Sequence, residues 1–288
     1  MLAAAVAILD LVILWLAGPG ALLLLIAVLI GATLVISAAL APARPPATRL
    51  PWRGRVRLWL GEVLAAWSLF LFWLPLERLM MRRDQAGERA HAPPVLLIHG
   101  YVNNAGALWR LWRSLCHNGF GVFTLNLEPV YSDIEQYAPL IAARIESIRA
   151  ATGSAQVTLV CHSMGGLAAR AYLRRSSQER VDPGVAKVIT LGTPHHGTLL
   201  ARIERSRNGR QMHPNSAWLT QLAEHEGGAW VCPLVSIYSL DDNVVVPATS
   251  ARLDGARNIE LSGIGHISLP LSRRVIALVL AELGADSP

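Results

Sequence analysis

Two hydrophobic patterns divide the chain near residue 92. Before it, apolar residues run on for whole helices; after it, short apolar runs alternate with longer amphipathic stretches. Residues 21–40 are uncharged and mostly apolar over 20 positions. At 1.5 Å per residue, such a helix spans the roughly 30 Å hydrocarbon core of a bilayer. Residues 2–17 are apolar apart from Asp10, and Gly18-Pro19-Gly20 punctuates the two runs. This predicts a transmembrane helical hairpin over 1–40, with a single bent signal anchor as the alternative. A cleavable signal peptide fits poorly, because there is no basic n-region and the apolar stretch is too long.

A proline-rich basic stretch follows, with Arg44, Arg49, Arg53, Arg55 and Arg57. It reads as a loop at the cytoplasmic face, since Arg flanking a span sets its orientation. Residues 63–76 are again uncharged but number only 14, with Glu62 and Glu77 at the edges. Together with Trp52, Trp59, Trp67 and Trp73 they predict a third apolar helix within 41–92. That helix is a short span, an interfacial helix, or a helix packed on the following domain. Basic residues 78, 82 and 83 favour the interfacial form and a catalytic domain facing the cytoplasm, at a bacterial inner membrane.

From 93 onward the pattern changes. Apolar runs at 95–98, 122–125, 157–160, 188–191, 234–237 and 258–261 predict buried strands. Between and after them, 108–116, 134–150, 164–175 and 273–283 predict helices. Strand–helix alternation implies an α/β domain with a mostly parallel sheet over 93–288. Residues 201–230 are too long for a simple connection and predict either a cap or a surface helix.

Composition agrees with this division. Hydrophobic residues make up 52% and charged residues 16%, below the charge of an ordinary soluble domain. Of the +6 net charge, nine Arg against five acids lie in residues 1–92 and 17 bases against 15 acids lie beyond. The larger part is therefore nearly balanced, which argues against nucleic acid as a partner. Cys116, Cys161 and Cys232 are too widely spaced for a metal-binding pair or a disulfide framework.

The chemistry concentrates at strand ends. In Cys161-His162-Ser163-Met164-Gly165 a strand runs straight into a helix with Ser at the turn. This is the setting of a nucleophile elbow, although Cys161 stands where G-x-S-x-G has its first Gly. His99-Gly100-Tyr101 ends the first strand, where the backbone N–H of Tyr101 can join that of Met164 as an oxyanion hole. His99 precedes Ser163 in the chain and is assigned to fixing that loop. After Ser163 come Asp241-Asp242, 79 residues on in the case of Asp242, and then His266, 24 further. Each follows a strand. The order Ser163, Asp242, His266 is that of α/β-hydrolases, with Asp241 a rival for the acid. His195-His196 on a turn point apart and lack a third ligand, so no metal is expected.

Four stretches carry a family resemblance: Ile98-His99-Gly100-Tyr101, Cys161 to Gly166, Leu191-Gly192-Thr193-Pro194-His195-His196-Gly197-Thr198, and Asp242-Asn243-Val244-Val245. A fifth runs from Arg252-Leu253-Asp254-Gly255 to Gly265-His266-Ile267. From about 93 to 285 the chain resembles bacterial lipases of the α/β-hydrolase superfamily, the minimal type included, and is similar to lipase-like inositol deacylases. The resemblance implies an α/β-hydrolase fold with Ser163 as nucleophile, Asp242 as acid, His266 as base, and Tyr101 and Met164 as oxyanion donors. It favours Asp242 over Asp241 through the spacing from Ser239 to Val245. It also implies ester hydrolysis; a serine triad needs no cofactor, and the anchor beside a bilayer with the apolar cap candidate favours a lipid-like ester as substrate. The alternatives are an acyltransferase on the same residues or a non-catalytic membrane scaffold.

Overall fold

The computed structural model describes residues 12, 18–40, 49–81, 84, 92–227 and 230–284. Its centre is six parallel strands: β1 (Val95–Ile98), β2 (Val122–Leu125), β3 (Val157–His162), β4 (Val185–Leu191), β5 (Leu234–Ser239) and β6 (Arg257–Leu261), in the order β2-β1-β3-β4-β5-β6. Every neighbouring pair is parallel. Strands β1, β3 and β5 are buried at every position, as continuous apolar runs require when helices cover both faces. The order reverses at β1, and ligands of open α/β sheets bind beyond the strand carboxyl ends near such a reversal.

The helices are α1 (Pro19–Leu40), α2 (Trp52–Ser68), α3 (Glu77–Met80), α4 (Trp109–His117), α5 (Ala138–Thr152), α6 (Met164–Glu179), α7 (Arg207–Gln211), α8 (Ala217–Glu226) and α9 (Arg273–Gly284). One core lies between the sheet and α5, α6 and α8, and contains Leu96, Ile141, Leu159, Leu167 and Leu219. The other lies under α4 and α9 and contains Leu97, Leu111, Val160, Ile237 and Val279.

The N-terminal part departs from expectation. Residues 2–17, the first limb of the expected hairpin, lie outside the described residues except Val12. The helix expected around the apolar run 63–76 begins earlier, at Trp52, and continues through a π-turn to Trp73. The reason is local: Pro51 caps the helix start, and Arg53, Arg55 and Arg57 stay exposed along the first turns rather than forming a loop. Helices α1 and α2 pair antiparallel. Trp59 Nε1 donates to the Ala27 carbonyl at 3.4 Å and Trp67 Nε1 to that of Leu23 at 3.0 Å, while Leu22, Ile26 and Ile30 meet Val63 and Ala66. Both α1 and the run Trp52–Trp73 are long and apolar enough to cross a membrane.

Residues 201–230 form α7 and α8. Leu219 and Met212 are buried in the first core. Arg170 of α6 grips Glu226 at 2.8 and 2.6 Å through two nitrogens. The segment is thus packed onto α6 as well as reaching the strand ends, where Glu204 and Ser206 bond the Tyr101 hydroxyl at 2.7 and 3.0 Å.

Candidate active site

Ser163 is the single residue between β3 and α6, with φ 54° and ψ −128°. A non-glycine residue rarely adopts positive φ, and the strain is held by its surroundings. The Ser163 N–H donates to the Leu191 carbonyl at 2.9 Å, and the Thr193 hydroxyl donates to the Ser163 carbonyl at 2.8 Å. Small residues let the chain make this turn: a Cβ on Gly165 would meet the His99 carbonyl oxygen at 2.5 Å. Cys161 is fully buried beside Ile98 of β1 and Thr190 of β4, so a thiol replaces glycine there without disturbing the turn.

The backbone of Gly100 lies directly against this serine, since a Cβ there would sit 2.7 Å from the Ser163 Cβ. Tyr101 follows it. Met164 opens α6, so its N–H is among those without an intrahelical acceptor. His99 is buried and fixes this loop from both sides: it receives the Leu127 N–H on Nε2 at 3.0 Å and its Nδ1 donates to the Gly100 carbonyl at 2.8 Å. Burial lowers its pKa to about 4, which keeps it neutral.

Asp242 and His266 meet after β5 and β6. His266 Nδ1 donates to Asp242 Oδ2 at 2.8 Å. Asp242 Oδ1 accepts the Val244 and Val245 N–H groups, each at 2.8 Å. Asp241 turns away, with Oδ2 receiving the Gly263 N–H at 2.7 Å. The adjacent carboxylates therefore serve different loops, and only Asp242 reaches the histidine. Burial alone would lower the pKa of His266. The Asp242 charge and hydrogen bond, with the Glu62 charge behind them, outweigh it and hold His266 above the ordinary histidine value.

Three supports of His266 were not singled out from sequence. His162, next to Ser163, donates from Nε2 to the His266 carbonyl at 3.1 Å, and the two rings lie 4.7 Å apart. Burial first, then the neighbouring His266, keeps His162 well below the usual histidine range and uncharged. Asn243 Oδ1 accepts the His266 N–H at 3.0 Å. Glu62, from α2, accepts the Ile267 and Ser268 N–H groups at 3.1 and 2.8 Å. Asn243 stood inside a recognised motif, but Glu62 carried no signal beyond its place at the rim of an apolar run. His195 is tied into the fold, near Thr190 Oγ1 at 3.2 Å and with its carbonyl receiving Arg170 at 3.0 Å.

A cavity of about 450 Å³ opens between α2 and the His266 loop, lined by Arg57, Leu64, Trp73, Arg110, Gly265 and Ser268 among others.

Residues 93–208 match the family model for the α/β hydrolase fold. Over 116 residues the chain is 32% identical to a triacylglycerol lipase of Pseudarthrobacter phenanthrenivorans, covering 38% of this chain and 35% of that protein. Over 149 residues it is 28% identical to the mouse lysosomal thioesterase PPT2, covering 49% and 46%. The chain thus spans between a third and a half of the length of these curated relatives. Among solved structures, lipase B of Aspergillus fumigatus superposes with a TM-score of 0.63 at 23% identity, over 71% of this chain and 55% of that one. The mature lipase BlEst2 of Bacillus licheniformis superposes at 0.60 with 19% identity, over 70% and 95%.

Proposed function

We propose that this chain, whose residues 93–208 match the α/β hydrolase fold, is a membrane-anchored serine hydrolase of carboxylic esters, with a lipid as substrate. The observations that carry the reading are the 2.8 Å Asp242–His266 bond and a serine at φ 54° on a strand-to-helix elbow, whose neighbour His162 bonds the His266 carbonyl. His266 takes the Ser163 proton from Nε2 as the serine oxygen attacks the ester carbonyl. Asp242 holds the proton on Nδ1 and stabilises the imidazolium. The backbone N–H groups of Tyr101 and Met164 receive the oxyanion. The alcohol leaves with the proton from His266, and water, activated by the same base, releases the acid.

The pH dependence follows from the base. His266 must be neutral to accept a proton, and its pKa is held above the ordinary value. The acid limb of kcat/KM should therefore have its midpoint above about 6.5, with activity lost below it. A midpoint near 5 in a pH–rate profile would contradict the role given to His266.

Anchoring rests on α1. Its 22 residues give about 33 Å of helix, and Leu24, Val28, Leu29 and Val35 are exposed on it. Exposed apolar surface of this extent fits lipid rather than water. The basic residues 49–57 then mark the cytoplasmic side. The decisive experiment compares purified full-length protein on esters presented in vesicles and on short soluble esters. Turnover should be higher by an order of magnitude or more on the vesicle-borne, long-chain substrate. Cleavage of soluble esters alone, indifferent to added bilayer, would replace this reading with a soluble-ester esterase.

A further inference from the structure

The helix pair α1–α2 reaches into the loops that carry the Asp242–His266 pair. Glu62 lies in the middle of α2 and is 0% exposed. A buried carboxylate needs partners, and the partners here are the N–H groups of the two residues that follow His266: Ile267 at 3.1 Å and Ser268 at 2.8 Å. The approach is possible because residue 265 is glycine. A Cβ on Gly265 would fall 2.3 Å from Glu62 Cγ and Cδ. Ile267 itself packs among the α1–α2 residues Leu22, Ile26, Ile30, Val63 and Ala66.

Helix α1 makes a second, separate connection. Thr33 Oγ1 accepts from Asn243 Nδ2 at 2.8 Å, while the other end of the same amide, Oδ1, accepts the His266 N–H at 3.0 Å. His266 is therefore held on its N-terminal side through Asn243 to α1 and on its C-terminal side through Glu62 to α2. Within the globular domain His266 also meets His162, by ring contact and through its carbonyl, and the Asp242 carboxylate, and its carbonyl accepts the Leu269 N–H at 3.4 Å.

We propose that α1 and α2 are a working part of the active site as well as an anchor, with Glu62 a positioning residue that clamps the backbone behind His266 and Thr33, through Asn243, a second. The proposal rests on the role given to His266 above. Seating of the helix pair on the domain sets where the imidazole stands relative to Ser163. A histidine displaced by an ångström loses the alignment on which proton transfer depends.

The test uses full-length protein with Glu62→Ala, Glu62→Gln and Thr33→Val, and Glu179→Gln as control, because Glu179 is an exposed carboxylate paired with Arg175. Turnover of a soluble ester and amide hydrogen exchange over 262–271 are both measured. Glu62→Ala should lower kcat between about ten- and a hundredfold with KM changed less than about twofold, since Glu62 acts on the position of His266 and not on the ester. Glu62→Gln keeps one acceptor oxygen and should fall between wild type and Ala; Thr33→Val should lower kcat more mildly. Exchange at Ile267 and Ser268 should quicken roughly tenfold with each lost bond. If Glu62→Ala does not accumulate as folded protein, Glu62→Gln and Thr33→Val carry the comparison. Wild-type kcat and unchanged exchange in Glu62→Gln and Thr33→Val overturn the proposal. Should the wild type itself cleave no ester and a fluorophosphonate leave Ser163 unlabelled, the hydrolase reading fails. The exchange data then decide the clamp alone: faster exchange upholds it and unchanged exchange removes it.

Discussion

Ser163→Ala should lower kcat for ester hydrolysis by about a millionfold, the scale seen when the nucleophile of a serine triad is removed. The hydroxyl is the atom that attacks, and nothing beside it can substitute. Cys161, two residues earlier, is fully buried in the sheet with its side chain in the core, and burial raises its thiol pKa far above that of a reactive cysteine. The variant should fold. Alanine keeps the Cβ already present at φ 54°, so no strain is added. Both backbone bonds that hold the turn, to Leu191 and from Thr193, remain. Melting temperature and circular dichroism should match the wild type, and a fluorophosphonate that marks wild-type Ser163 by mass spectrometry should leave the variant unmarked. Near-normal turnover in Ser163→Ala, or labelling of another serine, would remove the proposed nucleophile.

Asp242→Asn should cost about ten-thousandfold in kcat, and Asp241→Asn far less. The difference comes from what each oxygen holds. Asp242 Oδ1 is committed to the Val244 and Val245 N–H groups, so in the asparagine variant the amide oxygen occupies that place. The amide nitrogen then faces His266 Nδ1 and donates to it, which forces the imidazole proton onto Nε2. That tautomer cannot accept a proton from Ser163. The variant also lacks the charge that raises the His266 pKa, so what activity is left should show an acid limb moved to lower pH. Asparagine at 241 still offers an oxygen to the Gly263 N–H and leaves the Asp242–His266 bond intact. Kinetics of the two purified variants on one ester check the contrast, and a larger loss at 241 would move the acid by one residue.

The strands were legible because their runs are continuous. Each of the six expected stretches lies within an observed strand, and the largest extensions are at polar or small ends such as Cys161-His162 and Val185–Lys187, where hydrophobicity fades but ladder bonding continues. The elbow was legible for a similar reason: a strand, a serine and a helix in direct succession leave few conformations for the residue between them. What failed was the start of α2. Its first turns carry three arginines with only Gly54 and Val56 between them, a pattern that composition alone reads as a basic loop and that Pro51 and the packing on α1 turn into helix.

By itself, the order of residues determined the parallel sheet, the serine at its elbow and the convergence of an acid and a histidine on one edge, because these depend on local pattern and on the rule that strand ends meet where chains reverse. The family resemblance favoured Asp242 over Asp241 by spacing alone; which of the two carboxylates bonds His266 is seen only in the tertiary structure. The two are neighbours on one loop, and their directions are set by the Gly263 N–H on one side and His266 on the other. The contacts of Glu62 are visible only there too. In the chain it is one acid near the end of an apolar run, 204 residues from the histidine (positions 62 and 266). Only when α2 lies across Gly265 do its oxygens find the two N–H groups behind that histidine. Long-range polar pairing of this kind leaves no periodicity, since it joins one side chain to two backbone donors far along the chain.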